Sequence, residues 1–222
     1  MIKKHIFLLI LLINFAACGI DSSTELPLLT SYDFENGKSE GWKPNFSECW
    51  EIADLDGSTV YALTASGESG DIAAPKTWSI LTGHDVTSFE FTGRLKCMAE
   101  IDNPNRDLCI FFHYLDPTHF YYVHFSARSD ERHNIIGLVN GADRIKINVE
   151  PAGMSVFRLT DREWHSFKVT YDEETGKIAA YLDDLDTPIL TASGSVLGHG
   201  LVGIGSYDDI GFFDDILLQG KK

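Results

Sequence analysis

Short extended segments separated by turn residues are the feature that most constrains how this chain can fold. Apolar or alternating runs of five to nine residues recur after residue 30, and they end at turn pairs such as Asp56-Gly57 and Asn140-Gly141. These runs predict strands at 59–63, 88–95, 108–115, 120–125, 135–139, 145–149, 165–171, 178–182 and 201–206. No segment shows a convincing 3.6-residue period. The pattern predicts an all-β, antiparallel sandwich of two sheets.

The N-terminal residues have the pattern of an export signal. Lys3 and Lys4 precede an apolar run at 6–13, which is shorter than the roughly 20 residues that span a bilayer. The run ends in Asn14-Phe15-Ala16-Ala17-Cys18, which resembles the lipobox of bacterial lipoproteins, with Phe15 where leucine is commoner.

The lipobox resemblance implies a signal peptide at 1–17 and acylation of Cys18, by palmitate among other chains. The protein is then exported and held in a membrane of the cell envelope by its lipid. Gly19 does not supply the aspartate that retains many such proteins at an inner membrane, which favours the outer membrane or cell surface. The alternative is an ordinary secretory signal with Cys18 incidental. Residues 18–30 are predicted to be a flexible tether and 31–220 a single domain.

Charge and cysteine content narrow the choice of partners. The formal net charge of −15 argues against nucleic acid and against an anionic membrane surface. A polyanionic polysaccharide would require a local cluster of arginines. Acylation of Cys18 leaves Cys49, Cys97 and Cys109, so one disulfide with a free thiol and three buried thiols both remain open. The spacing matches no zinc pattern, and no zinc site is predicted.

Three stretches resemble the concanavalin A-like jelly-roll superfamily, in particular its laminin-G-like members in bacterial secreted proteins. They are the opening segment 32–42, the hairpin 164–183 and the closing segment 203–216. The resemblance implies a jelly-roll sandwich over nearly all of the domain. It leaves the activity open, because the superfamily contains lectins, binding modules, glycosidases, lyases and structural domains.

The hairpin at 109–126 is the most informative segment for function. A four-residue turn around Asp116-Pro117 predicts that His113 lies opposite Tyr122 and that Phe111 lies opposite His124. Alternation then places His113, Tyr122 and His124 together on one face of the sheet, while the other face packs on the core.

The resemblance implies that sugars bind on the concave sheet face, where aromatic rings stack on pyranoses and polar side chains donate hydrogen bonds. The candidate glycan-binding residues are His113, Tyr122, His124, Arg132, His133, Asn140 and Arg144. Glycan binding at the cell envelope is the leading hypothesis. The alternative is that His113 and Tyr122 form a structural cross-strand pair.

Whether the protein is an enzyme stays open. A polysaccharide lyase could use Tyr122 with a histidine as base and acid, and an arginine or Asn140 to neutralise a uronate. The Glu-x-Asp-x-x-Glu pattern of jelly-roll glycoside hydrolases begins at Glu100 but ends in Asn105, which excludes that site. Kinship with keto-disaccharide hydrolase domains, and a structural or protein-interaction role without a glycan site, are the remaining alternatives.

No cofactor is required by the sequence, but the resemblance suggests a structural Ca²⁺ where the first and last strands are adjacent. Asp33 and Glu35 with Asp214 and Asp215 would supply its oxygen ligands, and the pair Asp208-Asp209 could contribute. The alternative is that these acidic residues cap the ends of the sheets.

Overall fold

The computed structural model describes residues 25–149 and 158–222. The predicted signal peptide, Cys18 and the first part of the predicted tether lie outside the described residues. The described ranges form strands and one short 3₁₀ turn at Ser47–Cys49. The strands are β1 Leu28–Tyr32, β2 Trp42–Pro44, β3 Trp50–Leu55, β4 Ser58–Leu63, β5 Thr77–Val86, β6 Phe89–Cys97, β7 Asp107–Asp116, β8 His119–Ser126, β9 Ile135–Asn140, β10 Ile145–Lys146, β11 Asn148–Val149, β12 His165–Asp172, β13 Lys177–Leu182, β14 Leu190–Ser193, β15 Gly200–Ser206 and β16 Gly211–Gly220.

The strands form two antiparallel sheets packed face to face, which confirms the predicted fold class. The nine-stranded sheet has the order β11-β14-β13-β12-β6-β16-β4-β3, with β1 also paired to β16. The seven-stranded sheet has the order β10-β9-β8-β7-β15-β5-β2. Neighbours in a sheet are often distant in sequence, as in β6 beside β16, so the chain crosses repeatedly between the two layers.

The main core lies between the sheets because inward positions on most strands are apolar. Strand β6 alternates buried and half-buried residues along its whole length. Phe89 of β6 lies 5.7 Å from Phe112 of the opposite sheet, between ring centroids, and Phe112 stacks on Tyr121 at 5.3 Å. Full burial of one such aromatic side chain stabilises the fold by about 2–3 kcal/mol. Contacts such as that between Phe89 and Phe112 hold the two layers together.

Two predicted boundaries differ from the structure. Strand β1 begins at Leu28 and pairs with β16, so residues 28–30 belong to the sheet rather than to the tether. The predicted strand at 145–149 is two short strands: β10 pairs with β9 in the seven-stranded sheet, and β11 pairs with β14 in the nine-stranded sheet. The chain therefore changes layers at Ile147.

The outer face of the seven-stranded sheet, which points away from the main core, carries a second apolar cluster. Its buried members are Ile80, Cys109, Phe111, Phe120, Tyr122, Ile135 and Val139. The connection at 64–76, here called the covering segment, packs Ile72 and Ala74 against this cluster. Its Ala73 N–H donates to Asp143 (2.8 Å), and its Ala73 carbonyl accepts from Arg144 N–H (3.0 Å). Part of the outer face is thus shielded from solvent.

The described parts of the chain contain no helix with the length and apolar character needed to cross a membrane.

Candidate functional site

A bulge in β7 changes which residues share a face of the hairpin. Phe111 pairs with Tyr122, whereas Asp116 pairs with His119, and the register shifts between these two points. His113 lies in the shift with a φ of 45°, in the left-handed region. The predicted register, with His113 opposite Tyr122, was therefore wrong. His113 points to the main core instead of the outer face.

His113 is completely buried between the two sheets. Its ring centroid lies 4.3 Å from that of Tyr171. Its Nδ1 lies 2.8 Å from the Leu197 carbonyl oxygen and its Nε2 3.0 Å from the Thr87 carbonyl oxygen. Burial lowers the pKa of His113, and the two carbonyls oppose that shift. This histidine links two loops to the core and has no access to a ligand.

Tyr122 does lie on the outer face, but it is also fully buried. Its ring covers Gly137 on the neighbouring strand, where a Cβ atom would overlap the ring. Its hydroxyl has no hydrogen-bond partner among the described residues. Burial and the nearby Cys109 raise the pKa of Tyr122 well above its ordinary value. The surface over Tyr122 is closed. Since His113 points to the main core, Tyr122 and His113 do not form the base and acid pair of the lyase hypothesis, which leaves His124 as the histidine on the same face as Tyr122.

Four of the predicted glycan-binding residues meet at the end of the outer face where β7 begins. His124, Arg132, His133 and Arg144 line a cleft of about 220 Å³. We call this the arginine cleft. Asp107 and Tyr207 also line it, and the Arg144 guanidinium lies 4.7 Å from the Tyr207 ring centroid while donating to its hydroxyl.

Asp130 organises the loop that forms one wall of the arginine cleft. Its Oδ1 accepts hydrogen bonds from the Arg132 N–H (2.7 Å) and the His133 N–H (3.0 Å), and its Oδ2 lies 3.1 Å from Arg128 Nε. Although burial alone would raise it, these hydrogen bonds lower the pKa of Asp130 to about 2. The Asp130 side chain is therefore an ionised carboxylate when it holds the loop in place.

Asn140 is separate from the other predicted residues. It is exposed at the opposite end of β9, where it pairs with His119. The predicted set thus divides into a core histidine, a buried tyrosine, a cleft with four members and one exposed asparagine.

A second and larger cleft was not singled out from the sequence. It lies around Trp78 of β5 and has a volume of about 530 Å³. We call this the tryptophan cleft. Tyr114 forms a second aromatic wall, with its ring centroid 6.2 Å from that of Trp78, and Ile80 and Leu201 are among its apolar lining residues. A cavity of about 330 Å³ adjoins Trp78 beneath the covering segment. The available signal was Trp78 itself, a large aromatic in a strand that was not predicted.

Backbone hydrogen bonds and ring packing hold Trp78 in place. The Asn45 side-chain oxygen accepts from the backbone N–H of Trp78 (2.9 Å), and the Asn45 amide nitrogen donates to the Lys76 carbonyl (2.8 Å). The Trp78 ring centroid lies 6.0 Å from that of Phe111 and 6.2 Å from that of Phe120. Burial raises the pKa of Tyr114 to about 12, so its hydroxyl remains a hydrogen-bond donor at neutral pH. The cleft combines a fixed aromatic platform with polar groups at its edge.

The four residues proposed for calcium are bound to protein groups. Glu35 accepts hydrogen bonds from Ser58 Oγ (2.9 Å) and the Thr59 N–H (3.0 Å). Arg94 binds both Asp214 (2.8 Å) and Asp215 (2.7 Å). The remaining residue, Asp33, accepts a hydrogen bond from the Glu35 N–H.

Two other groups have the geometry of metal ligands. In the described ranges, the sets whose ligand atoms lie within 4.8 Å of one another are Asp107 with Cys109 and His124, and Asp107 with Asp208 and Asp209. Both sets contain Asp107, at the arginine cleft, and neither contains Asp33, Glu35, Asp214 or Asp215. The second set does include the pair Asp208-Asp209, which the sequence suggested as a possible contributor to a calcium site.

The structure distinguishes between the two alternatives for the cysteines, a disulfide with one free thiol or three buried thiols. Cys49, Cys97 and Cys109 are all buried and free. Of the two alternatives, the structure has three buried thiols.

No protein-family model matches the sequence, and no curated protein matches it. Solved structures do match. The carbohydrate-binding module CBM66 from Bacillus subtilis aligns with a TM-score of 0.55 at 16% identity, covering 81% of this chain and 96% of the module. The winged bean acidic lectin in complex with methyl-α-D-galactose gives 0.53 at 14% identity, covering 85% and 96%. The Bacillus licheniformis β-glucanase gives 0.55 at 8% identity, covering 88% and 99%.

These similarities confirm the concanavalin A-like jelly-roll fold that the sequence resembled. At such low identity they concern the fold alone.

Proposed function

We propose that this domain binds a carbohydrate polymer in the tryptophan cleft. The observation that carries the proposal is Trp78, which is half-buried in an open cleft of about 530 Å³ with Tyr114 as its second aromatic wall. Clefts of this size, apolar with a few polar groups, are typical of ligand sites.

The chemistry of the cleft suits a sugar ring. An indole face offers a flat apolar surface to the C–H groups of a pyranose. The Trp78 ring is already packed against the Phe111 and Phe120 rings before any ligand arrives. The Tyr114 hydroxyl, the Lys43 ammonium and the Asp116 carboxylate can form directional hydrogen bonds with sugar hydroxyls.

The charge of the chain and the lining of the cleft make the proposal more specific. A net charge of −15 disfavours a polyanion and favours a neutral polymer. Among the described residues that line the tryptophan cleft, Asp116 is the one carboxylate, whereas retaining hydrolysis uses two about 5 Å apart. Both points support binding rather than cleavage. Further support comes from the proteins of similar fold, which include a carbohydrate-binding module and a galactoside-bound lectin.

The test is a comparison of Trp78→Ala with Trp164→Ala on neutral polysaccharides. Trp164 is the matched control because it is also half-buried but packs under Arg94 on the nine-stranded sheet. We expect Trp78→Ala to weaken binding about tenfold or more, which corresponds to about 1.4 kcal/mol, and Trp164→Ala to bind like the wild type. Glycan-array screening followed by calorimetric titration measures both.

Two results would count against the proposal. One is the absence of binding to any neutral glycan by a folded wild-type chain. The other is an equal loss of affinity in both tryptophan variants, which would indicate a general effect on stability.

The cellular setting is part of the same proposal. We infer that the chain is an exported lipoprotein anchored through Cys18, on the support of the basic, apolar and small-residue segments that precede this cysteine. The tether would then hold a glycan-binding domain close to the envelope surface.

A further inference from the structure

We propose that Asp107, Cys109 and His124 bind a divalent transition-metal ion of the zinc type at the floor of the arginine cleft. This inference does not depend on glycan binding at the tryptophan cleft. Its basis is the placement, hydrogen bonding and chemistry of three buried side chains.

Strand pairing brings the three ligands together. Cys109 of β7 and His124 of β8 are direct partners in the antiparallel ladder, which places their side chains on the same face. Asp107 lies two residues before Cys109 and therefore shares that face. The three ligand atoms lie within 4.8 Å of one another, and all three residues are buried.

The hydrogen bonding of His124 points to a cation. Its Nδ1 lies 2.8 Å from the Arg132 carbonyl oxygen, so Nδ1 carries the proton and donates it. In the neutral ring, Nε2 then presents a lone pair. This atom has no hydrogen-bond partner among the described residues, in a side chain that is only 3% exposed. A metal-bound histidine commonly donates its other N–H to a backbone carbonyl in this manner.

Asp107 faces that lone pair. Its Oδ2 lies 3.5 Å from His124 Nε2, while its Oδ1 accepts hydrogen bonds from Ser206 Oγ (2.9 Å) and the Tyr207 N–H (2.8 Å). A metal ion between Oδ2 and His124 Nε2 would be bound by both of these atoms at once. Because these two hydrogen bonds hold Oδ1, the carboxylate cannot rotate freely and Oδ2 stays directed at the site.

Cys109 completes the donor set and selects the metal. Its thiol donates a hydrogen bond to Asp107 Oδ1, with the sulfur 3.9 Å from that oxygen, so the sulfur already faces the carboxylate. Metal binding breaks the S–H bond, forms an S–metal bond and releases the proton to solvent, with no change in oxidation state. The thiolate and the Asp107 carboxylate then neutralise a 2+ ion. Sulfur, imidazole nitrogen and carboxylate are ligands typical of zinc, whereas calcium takes oxygen ligands.

The surroundings leave room for a fourth ligand. Three protein ligands are typical of zinc sites that keep one open position. Asp107 and His124 line the arginine cleft of about 220 Å³, which gives an ion and a water a path from solvent. The unpartnered hydroxyl of Tyr122 lies beside Cys109 on the same face and is available to donate a hydrogen bond.

Titration of the full chain with Co²⁺ tests the proposal, because a cobalt–thiolate bond adds a near-ultraviolet charge-transfer band. We expect the band to reach saturation at one equivalent in the wild type and to be absent in Cys109→Ala. Cys49→Ala is the matched control, since Cys49 is another buried free thiol outside this cluster, and it should keep the band.

A second measurement keeps the test decisive if Cys109→Ala folds poorly. Zn²⁺ should raise the melting temperature of the wild type and of Cys49→Ala, but not that of His124→Gln. The proposal is overturned if the wild type shows no thiolate band, if the band persists in Cys109→Ala, or if Zn²⁺ stabilises His124→Gln as much as the wild type. Trp78→Ala should bind Co²⁺ normally, which separates this site from the glycan proposal.

Discussion

Single side chains hold the irregular parts of this fold in place, and Asp130 is an example. One carboxylate accepts two backbone N–H groups and contacts Arg128, and so shapes a wall of the arginine cleft. Since its pKa in the folded chain is about 2, below the ordinary 3.8, the ionised form favours folding. The stabilisation is complete above about pH 4 and is lost as the pH falls through 2.

Asp130→Asn should therefore lower the free energy of unfolding by about 1 kcal/mol at pH 6, a figure reduced for solvent screening because the side chain is 40% exposed. The difference between wild type and variant should shrink steadily between pH 4 and pH 2.5. Urea denaturation at several pH values measures it. Glu131→Gln, at an exposed neighbour, should show no comparable trend, and a wild-type advantage that is independent of pH would contradict the assignment.

The sequence identified some residues of the arginine cleft because their positions in loops do not depend on how the strands pair. Arg132, His133 and Arg144 were predicted from their loop positions, and loop residues reach the surface whatever the register of the strands. His113 and Tyr122 were judged by alternation, which cannot reveal a bulge. The pairing of Cys109 with His124 depends on that same bulge, so sequence spacing alone predicted no zinc site.

At the scale of strands, the bulge in β7 requires a particular neighbour on β15. Gly200 has a φ of +149°, and a Cβ at this position would lie 2.5 Å from the carbonyl carbon of His113. Both the backbone conformation and the close approach require glycine here. The bulge and the start of β15 thus form one structural unit.

Gly200→Ala should destabilise the domain by about 3 kcal/mol, because strain and a backbone clash add together. Gly198→Ala, two residues earlier, meets open space and should cost less than about 1 kcal/mol. Chemical denaturation of both variants gives the comparison. If the two variants lost the same free energy of unfolding, the close approach to His113 would not explain why residue 200 is a glycine.

The predictability of the strands follows from their surroundings. Strands β8, β12 and β13 were predicted because apolar runs or clear alternation mark them between recognisable turns. Strand β5 was missed, since its outward residues include Trp78, Thr82 and Gly83 and break the pattern. The two short strands Ile145–Lys146 and Asn148–Val149 were predicted as one strand. The alternation of a short run does not show that the chain passes from one sheet to the other within it.

At the scale of the whole molecule, folding relies on packing between two sheets and needs no cross-link. The described cysteines are free thiols, so an oxidising compartment is not a requirement for the fold. The proposed signal segment and the proposed acylation of Cys18 would therefore bear on where the protein works rather than on how it folds.

Membrane attachment through Cys18 predicts a clear fractionation result. Wild-type chain should sediment with membranes and incorporate labelled palmitate, because two or more acyl chains hold a protein firmly. Cys18→Ser should move to the soluble fraction without label, and Cys49→Ser should behave like the wild type. Retention of Cys18→Ser in the membrane fraction would refute the anchor.

The position of β1 sets how an anchored domain would be oriented. This strand, which continues from the tether, belongs to the nine-stranded sheet, while both clefts open on the outer face of the seven-stranded sheet. The tether thus joins one layer of the sandwich, and the clefts open on the far side of the other. A polymer bound in the tryptophan cleft would therefore contact the layer that the tether does not join, so the attachment and the capture of polymer would be carried by different sheets of the sandwich.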